Sequence, residues 1–358
     1  MDSNLVSLHN EQCSLTIDLL GGAIVDFHLQ EQGINPLNFR FLHQGERLED
    51  FYFKGHFLCL GRWGDPSPGE FSAGLNKHGD FARLKWKAEK QDNNMRMSVS
   101  STLEGLSIER LIEPDQHSSC FKVNEKVRNE NALGRMYNIV QHPTIAAPFL
   151  NEETIVDCNA TRGFDYAFDH YEDSIMGSWP ELRTKNNHNI KLDRPDQPYS
   201  SVFSFIVNPT DEYGWITAWS PSHKFLLGYI WKRSDYPWIN HWIHWEREEP
   251  GLPTASPANY PVEKLSYRGL EFGTTGVHKP FNELLEKNLL NLLGEPTFNF
   301  IDAGEEQQRS YYSFIHTIPV GFKGIQQVSI QPGSISIMEK EIAKEISIPH
   351  SFNLTYGF

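Results

Sequence analysis

Alternation with a period of two residues constrains this chain more than any other feature. Met95, Met97 and Val99 alternate with Arg96, Ser98 and Ser100, and Leu84, Trp86 and Ala88 alternate with Lys85, Lys87 and Glu89. Phe203 and Phe205, and later Ile335 and Ile337, repeat the pattern. In an extended chain successive side chains point to opposite faces, so such runs make half-buried strands of antiparallel sheets. Gly (26) and Pro (21) recur at short intervals, as the turns of a many-stranded protein require. Pro280–Leu293 is the one segment with helical character: Leu284, Leu285, Asn288 and Leu292 fall near one stripe, and Gly294 supplies a stop. Repeated strand–helix–strand units are absent, which argues against a doubly wound sheet. An all-β protein is expected, with residues 1–358 forming one large domain because no composition break marks a linker.

Charge narrows the partners. Lys and Arg total 32 against 46 Asp and Glu, a net charge of −14. Binding to nucleic acid or to an anionic membrane surface needs a basic face, so neither is expected. No apolar run approaches the roughly 18 residues that span a bilayer. The N-terminus MDSNLVSLHNEQCSLTIDLL lacks the basic, apolar and small-residue regions of a secretion signal. Cys13, Cys59, Cys120 and Cys158 form no CxxC pair, and are expected to be reduced, buried thiols of a cytoplasmic protein. The expected assembly is a monomer or homodimer.

Nucleotide, zinc-protease and serine-hydrolase motifs are absent, and neither a cofactor nor a metal is expected. His241 and His244 in NHWIHWE lie three apart, on opposite faces of a strand, which disfavours a shared metal. Aromatic residues make up 13% of the chain, with nine Trp, and such rings can stack on sugar C–H faces. Two irregular stretches, Arg62–Gly79 and Glu246–Tyr260, flank Trp- and His-bearing strands and are expected to wall a binding cleft. In SDYPWINHWIHWE, Trp238 and Trp242 share a face and Trp245 takes the other. Either Trp238 or His241 is expected to line the cleft, with Trp63 beside Arg62 as a second platform.

Four segments stand out together. LGGAIVDFHL (Leu20–Leu29) turns at Gly21 and Gly22 before a strand. NKHGDFARLKW (Asn76–Trp86) sets a His–Gly pair before Arg83 on an entering strand, as at a pocket rim. MYNIVQHPTIAAPFL (Met136–Leu150) places His142 at the end of an apolar strand, before Pro143. YRGLEFGTTGVHKPF (Tyr267–Phe281) carries Glu271 between Leu270 and Phe272. A carboxyl facing inward there has its pKa raised by burial unless partners hold its charge, and such groups mark functional sites.

In this order the segments resemble the aldose 1-epimerase (galactose mutarotase-like) superfamily, over about Leu5 to Phe281. The resemblance implies a β-supersandwich of large antiparallel sheets with a sugar cleft, and a small sugar as substrate. It implies that Glu271 takes the proton from the anomeric hydroxyl and that His142 is the general acid toward the ring oxygen. His78 then helps hold the sugar, and Arg83 and Arg62 bind its hydroxyls. The chain departs from the family pattern in three places. Asp80 is inserted in HGDFAR, which reverses the face of Arg83 unless a bulge absorbs it. HPTIAAPF replaces the aromatic–Asn pair after the second His, and FGTTGVHKPF follows the late Glu. No residue takes the place of the family's cleft Asp, for which Asp165 in GFDYAF lies early. A divergent member is therefore expected.

Anomer exchange needs a base at the anomeric hydroxyl and an acid at the ring oxygen, and each contributes about 10²–10⁴-fold. With an ionised Glu and a protonated His, a bell-shaped pH profile follows. Two alternatives stay open at this point. One is a non-catalytic carbohydrate-binding protein on the same scaffold. The other is a polysaccharide lyase or a glycoside hydrolase, the latter needing two carboxylates about 5–9.5 Å apart.

Overall fold

The computed structural model describes residues 4–40, 52–168, 170–195, 197–248, 262–341 and 344–354, and the side chains of 246–248 and 262–264 are not part of the description. Two large antiparallel sheets dominate, one of fourteen strands and one of eight. Their facing sides form the main core. Leu58, Leu60, Ile139 and Phe272 from the larger sheet meet Ile112, Val123, Tyr229, Trp231 and Tyr311 from the smaller. The rings of Trp231 and Phe272 stack at 4.1 Å between the two layers.

The strand Asn94–Ser101 buries Met95 and Met97 while Arg96 and Ser98 stay half-buried, as its alternation predicts. The expected alternation over residues 84–88 does not form a half-buried strand. Leu84 lies in a turn, and the strand begins at Lys87 and is exposed on both faces at the sheet edge. Trp86 turns into the core just before it, under the Arg110 guanidinium at 4.9 Å.

The helix is also shorter than its pattern, running Phe281–Glu286. Asn288 adopts φ 54°, and the Leu289 and Asn288 amides bond back to the carbonyls of Leu284 and Leu285 at 2.8 and 3.3 Å. Those paired bonds close a helix with its left-handed residue just past the end. The stop is therefore Asn288, and Gly294 belongs to the turn of a hairpin joining Asn291–Leu292 to Glu295–Pro296. In Arg62–Gly79 a short helix, Pro68–Ser72, starts with a capping box between Ser67 and Glu70. The backbone of 246–248 continues the strand Trp238–Glu248. The rest of the Glu246–Tyr260 stretch lies outside the described residues.

A three-stranded sheet of Ile325–Gln331, Ser334–Glu339 and Glu345–Pro349 covers the outer face of the eight-stranded sheet. Its Ile325, Val328, Ile335, Ile337 and Ile348 pack on Trp215, Trp219, Leu226 and Phe314. Asp157 pins the junction, accepting from Trp219 Nε1 and the Ile325 amide at 2.9 Å each and from Lys340 Nζ at 2.5 Å. All four cysteines are buried free thiols. Among the described residues no helix is long and apolar enough to cross a membrane.

Candidate functional site

The middle of the larger sheet is buried on both sides. In the strand Arg135–Ala146, Ile139 and Ile145 face the core, while Val140 and Ala146 belong to an apolar cluster on the opposite face. The strand His56–Gly61 pairs beside it with Phe57 opposite His142. The short strand Glu271–Gly273 is wedged between Arg135–Ala146 and Trp238–Glu248, with Asn240 opposite Glu271 and Gln141 opposite Phe272. Because side chains alternate, Phe57, His142 and Glu271 all project away from the core.

They project into a cavity of about 340 Å³. Phe39, Phe53, Phe57, Trp63, Tyr166 and Trp242 give it aromatic walls, and Lys77, His78, His142, His244, His278, Ser200, Ser201 and Glu271 give it polar groups. A pocket with apolar walls and a few convergent polar groups is the usual form of a small-molecule site.

Glu271 is 0% exposed, and its Oε2 accepts the Trp63 indole N–H at 2.9 Å. Its Oε1 lies 3.1 Å from His142 Nε2. That contact lacks the alignment of a hydrogen bond, so Oε1 has no hydrogen-bond partner among the described residues. Burial pushes the Glu271 carboxyl well above its ordinary pKa, and the Trp63 bond only partly opposes this. Gly269 makes room for the group, since a Cβ there would stand 2.8 Å from Glu271 Oε1.

His142 stacks on Phe57 with ring centroids 4.2 Å apart, and burial lowers its pKa to about 3. His78 stands with its ring centroid 6.0 Å from that of His142. Its backbone has φ 61°, and the turn is tied to the Trp63–Gly64 segment by two bonds: His78 N donates to Gly64 O at 2.9 Å, and Gly64 N donates to His78 Nδ1 at 3.2 Å. His278 completes this wall, packing edge-on against Trp63 at 4.9 Å and His78 at 5.5 Å. Among the described residues no cluster of His, Cys, Asp or Glu is suited to hold a metal ion.

Glu271, His142, His78 and Trp63 thus meet at one cavity, and four other sequence candidates do not line it. Arg62 is buried in ion pairs with Glu104 at 3.0 Å and Glu70 at 2.8 Å, which consume its guanidinium. Arg83 sits on a turn rather than an entering strand, with its guanidinium over the Tyr52 ring at 4.2 Å. The inserted Asp80 is absorbed in that turn, accepting from Asn76 at 2.8 Å and Ser101 at 3.0 Å. Trp238 shares a face with Trp242 but lies four residues earlier, at the start of the strand, and its indole donates to Pro296 O at 2.8 Å. His241 is on the opposite face, stacked on Trp179 at 4.6 Å.

The residues that do line the cavity from that strand, Trp242 and His244, keep the two-residue spacing. Their place along the strand is set by pairing across the sheet, which spacing does not reveal. Lys77 and His278 lie within segments the sequence singled out, and Tyr166 beside Asp165, without being marked as lining residues, while Ser200 and Ser201 carry no motif. Asp165 is buried behind the wall and accepts from Ser201 Oγ at 2.5 Å and Tyr199 OH at 2.6 Å. It therefore fixes Ser201 and the neighbouring Tyr166 in place without lining the cavity.

No family model matches this chain. No curated protein matches it in sequence. Solved structures do match. A galactose mutarotase related enzyme from Lactobacillus acidophilus superimposes with a TM-score of 0.57 at 12% identity, over 87% of this chain and 97% of the other. A galactose mutarotase-like protein from Clostridium acetobutylicum gives 0.58 at 12% identity, over 88% and 95% of the two chains. A TPR-domain containing protein from Parabacteroides distasonis gives 0.53 at 12% identity, over 95% of this chain and 51% of the other. At such identities the likeness concerns the fold: this chain has the all-β, large-sheet fold of the galactose mutarotase-like structures.

Proposed function

We propose that this protein interconverts the α and β anomers of a small sugar in the aromatic-walled cavity, with Glu271 and His142 as the acid–base pair. One observation carries the reading. A buried carboxyl oxygen with no hydrogen-bond partner faces the cavity 3.1 Å from an imidazole nitrogen. Aromatic rings around it suit the C–H faces of a sugar, while Ser200, Ser201, Tyr166 and Lys77 offer polar atoms to hydroxyls.

The electrostatics change the starting point of the chemistry. Burial favours a neutral Glu271 carboxylic acid and a neutral His142 imidazole, rather than carboxylate and imidazolium. The two arrangements hold the same single proton. From the neutral pair, the anomeric O–H proton passes to His142 Nε2 as the Glu271 proton passes to the ring oxygen. The bond between the anomeric carbon and the ring oxygen breaks, and the former hydroxyl becomes a carbonyl. Rotation and reclosure by the reverse transfers give the other anomer and restore the pair. Each group serves as acid in one direction and base in the other. No net proton, electron or cofactor is consumed.

The test is proton NMR exchange between anomers over a panel of free and 6-phosphorylated aldoses. Acceleration of one sugar by the wild-type protein supports the reading and names the substrate. A sugar that binds without faster exchange overturns it in favour of a non-catalytic binding protein.

A further inference from the structure

We infer that Thr144 is a positioning residue that locks the His142 imidazole with its hydrogen on Nδ1, so that the bare Nε2 faces Glu271. The inference rests on the acid–base reading above. Residues 142 and 144 lie on the same face of the strand Arg135–Ala146, and Thr144 is 0% exposed. Its Oγ1 stands 3.0 Å from His142 Nδ1 and 3.4 Å from the His142 carbonyl oxygen. A hydroxyl has one hydrogen to give, and a carbonyl oxygen only accepts. With that hydrogen on the carbonyl, the Thr144 oxygen presents a lone pair to Nδ1. A ring nitrogen that faces a lone pair is satisfied when it carries the hydrogen. The bond made at one ring nitrogen decides the state of the other, so Nε2 keeps its lone pair at 3.1 Å from Glu271 Oε1.

The consequence is functional. An imidazole with a bare Nε2 can accept the anomeric proton, whereas the other tautomer presents an N–H there and cannot. Phe57 stacked at 4.2 Å restrains the ring plane, and Thr144 selects the tautomer within it. Thr144 lies two residues after His142 in the run HPT.

The tautomer is read directly from long-range proton–nitrogen correlation spectra of the full chain labelled with ¹⁵N-histidine. The spectrum of His142→Gln identifies the His142 resonances. In the wild type, one protonated Nδ1 and one unprotonated Nε2 are expected. Thr144→Val keeps the shape and removes the hydroxyl. It should mix the two tautomers and lower kcat about 3- to 10-fold with KM within about twofold, in line with the loss of one neutral hydrogen bond. Thr144→Ser should restore both tautomer and rate. A wild-type spectrum showing hydrogen on Nε2 overturns the inference, whatever the activity and whether or not the variants fold. So does an unchanged tautomer in a folded Thr144→Val. Failure of the anomer-exchange reading has a separate signature: no exchange by the wild type, with the tautomer still on Nδ1.

Discussion

Replacing Glu271 by Gln removes a transferable proton and almost nothing else. The amide has the carboxyl's shape, and its oxygen can still accept the Trp63 indole N–H that Oε2 accepts at 2.9 Å. The Gly269 gap that admits the side chain is unchanged. One general acid–base group is worth about 10²–10⁴-fold in rate, or about 2.7–5.5 kcal/mol of barrier. The variant should therefore lose that factor in kcat, measured by magnetisation transfer between anomeric protons, with KM within about threefold. Stability supplies an independent readout. The folded carboxyl holds its proton well above its ordinary pKa, while the unfolded chain releases it near about 4.3. The proton that only the native state retains makes wild-type stability fall as pH rises above that value, until the folded carboxyl also ionises. Gln has nothing to ionise. Its melting temperature should gain on the wild type as pH rises from about 5, until the folded wild-type carboxyl ionises. A variant with more than about a third of wild-type kcat would refute the acid–base role, and a pH-independent difference in melting temperature would refute the burial argument.

Three further outcomes follow from the same structure. The rate should fall on the acid side only where His142 protonates, at about 3, and on the other side where the raised Glu271 carboxyl ionises; a pH–kcat profile whose acid limb lies near pH 6.5 contradicts this. Arg62→Ala should cost about 3 kcal/mol in urea unfolding, because it strips the main partner from fully buried Glu104, with Arg135 at 3.5 Å as the remaining one. Its KM should stay within about threefold for the folded fraction, and a selective rise in KM would return Arg62 to the site. Asp157→Ala strands the Trp219 indole and the Ile325 amide; at about 1–3 kcal/mol per unsatisfied buried donor it should lower stability by about 2–6 kcal/mol by calorimetry, and a loss below about 1 kcal/mol would show that the isoleucine contacts alone hold the C-terminal sheet.

Much of the architecture was legible in the chain because strand alternation is a local property. Met95 and Met97, and Ile335 and Ile337, show their buried faces without reference to any partner. Where a strand is covered on both sides, as in Arg135–Ala146, alternation of burial disappears, and only an apolar run remains to be read. The leucine stripe of 280–293 continues past Asn288, yet the helix stops before it because Asn288 takes a left-handed conformation that no stripe reveals. The strand Lys87–Gln91 exposes both faces because it lies at the sheet edge, a position that local alternation does not encode.

The site divides along the same line. Glu271 stood out as a charge inside an apolar run and His142 as a polar residue before a proline. The strand does not end at His142 as expected but runs on through Pro143 to Ala146, because pairing with neighbouring strands on both sides carries it on. Arg62 and Arg83 were equally visible, yet Glu104, Glu70 and the Tyr52 ring claim them in space. Trp242 and His244 line the cavity while Trp238 and His241 do not, because cross-sheet pairing and face decide which part of a strand reaches it. Strand formation, the alternation of side chains and the location of unusual polar residues follow from local pattern in the chain. Which of those residues share a cavity follows from the fold alone, since it depends on contacts between segments far apart in the chain. Burial likewise pushes the Glu271 carboxyl up and the His142 imidazole down in pKa, because the residues that exclude water there are named by no local pattern.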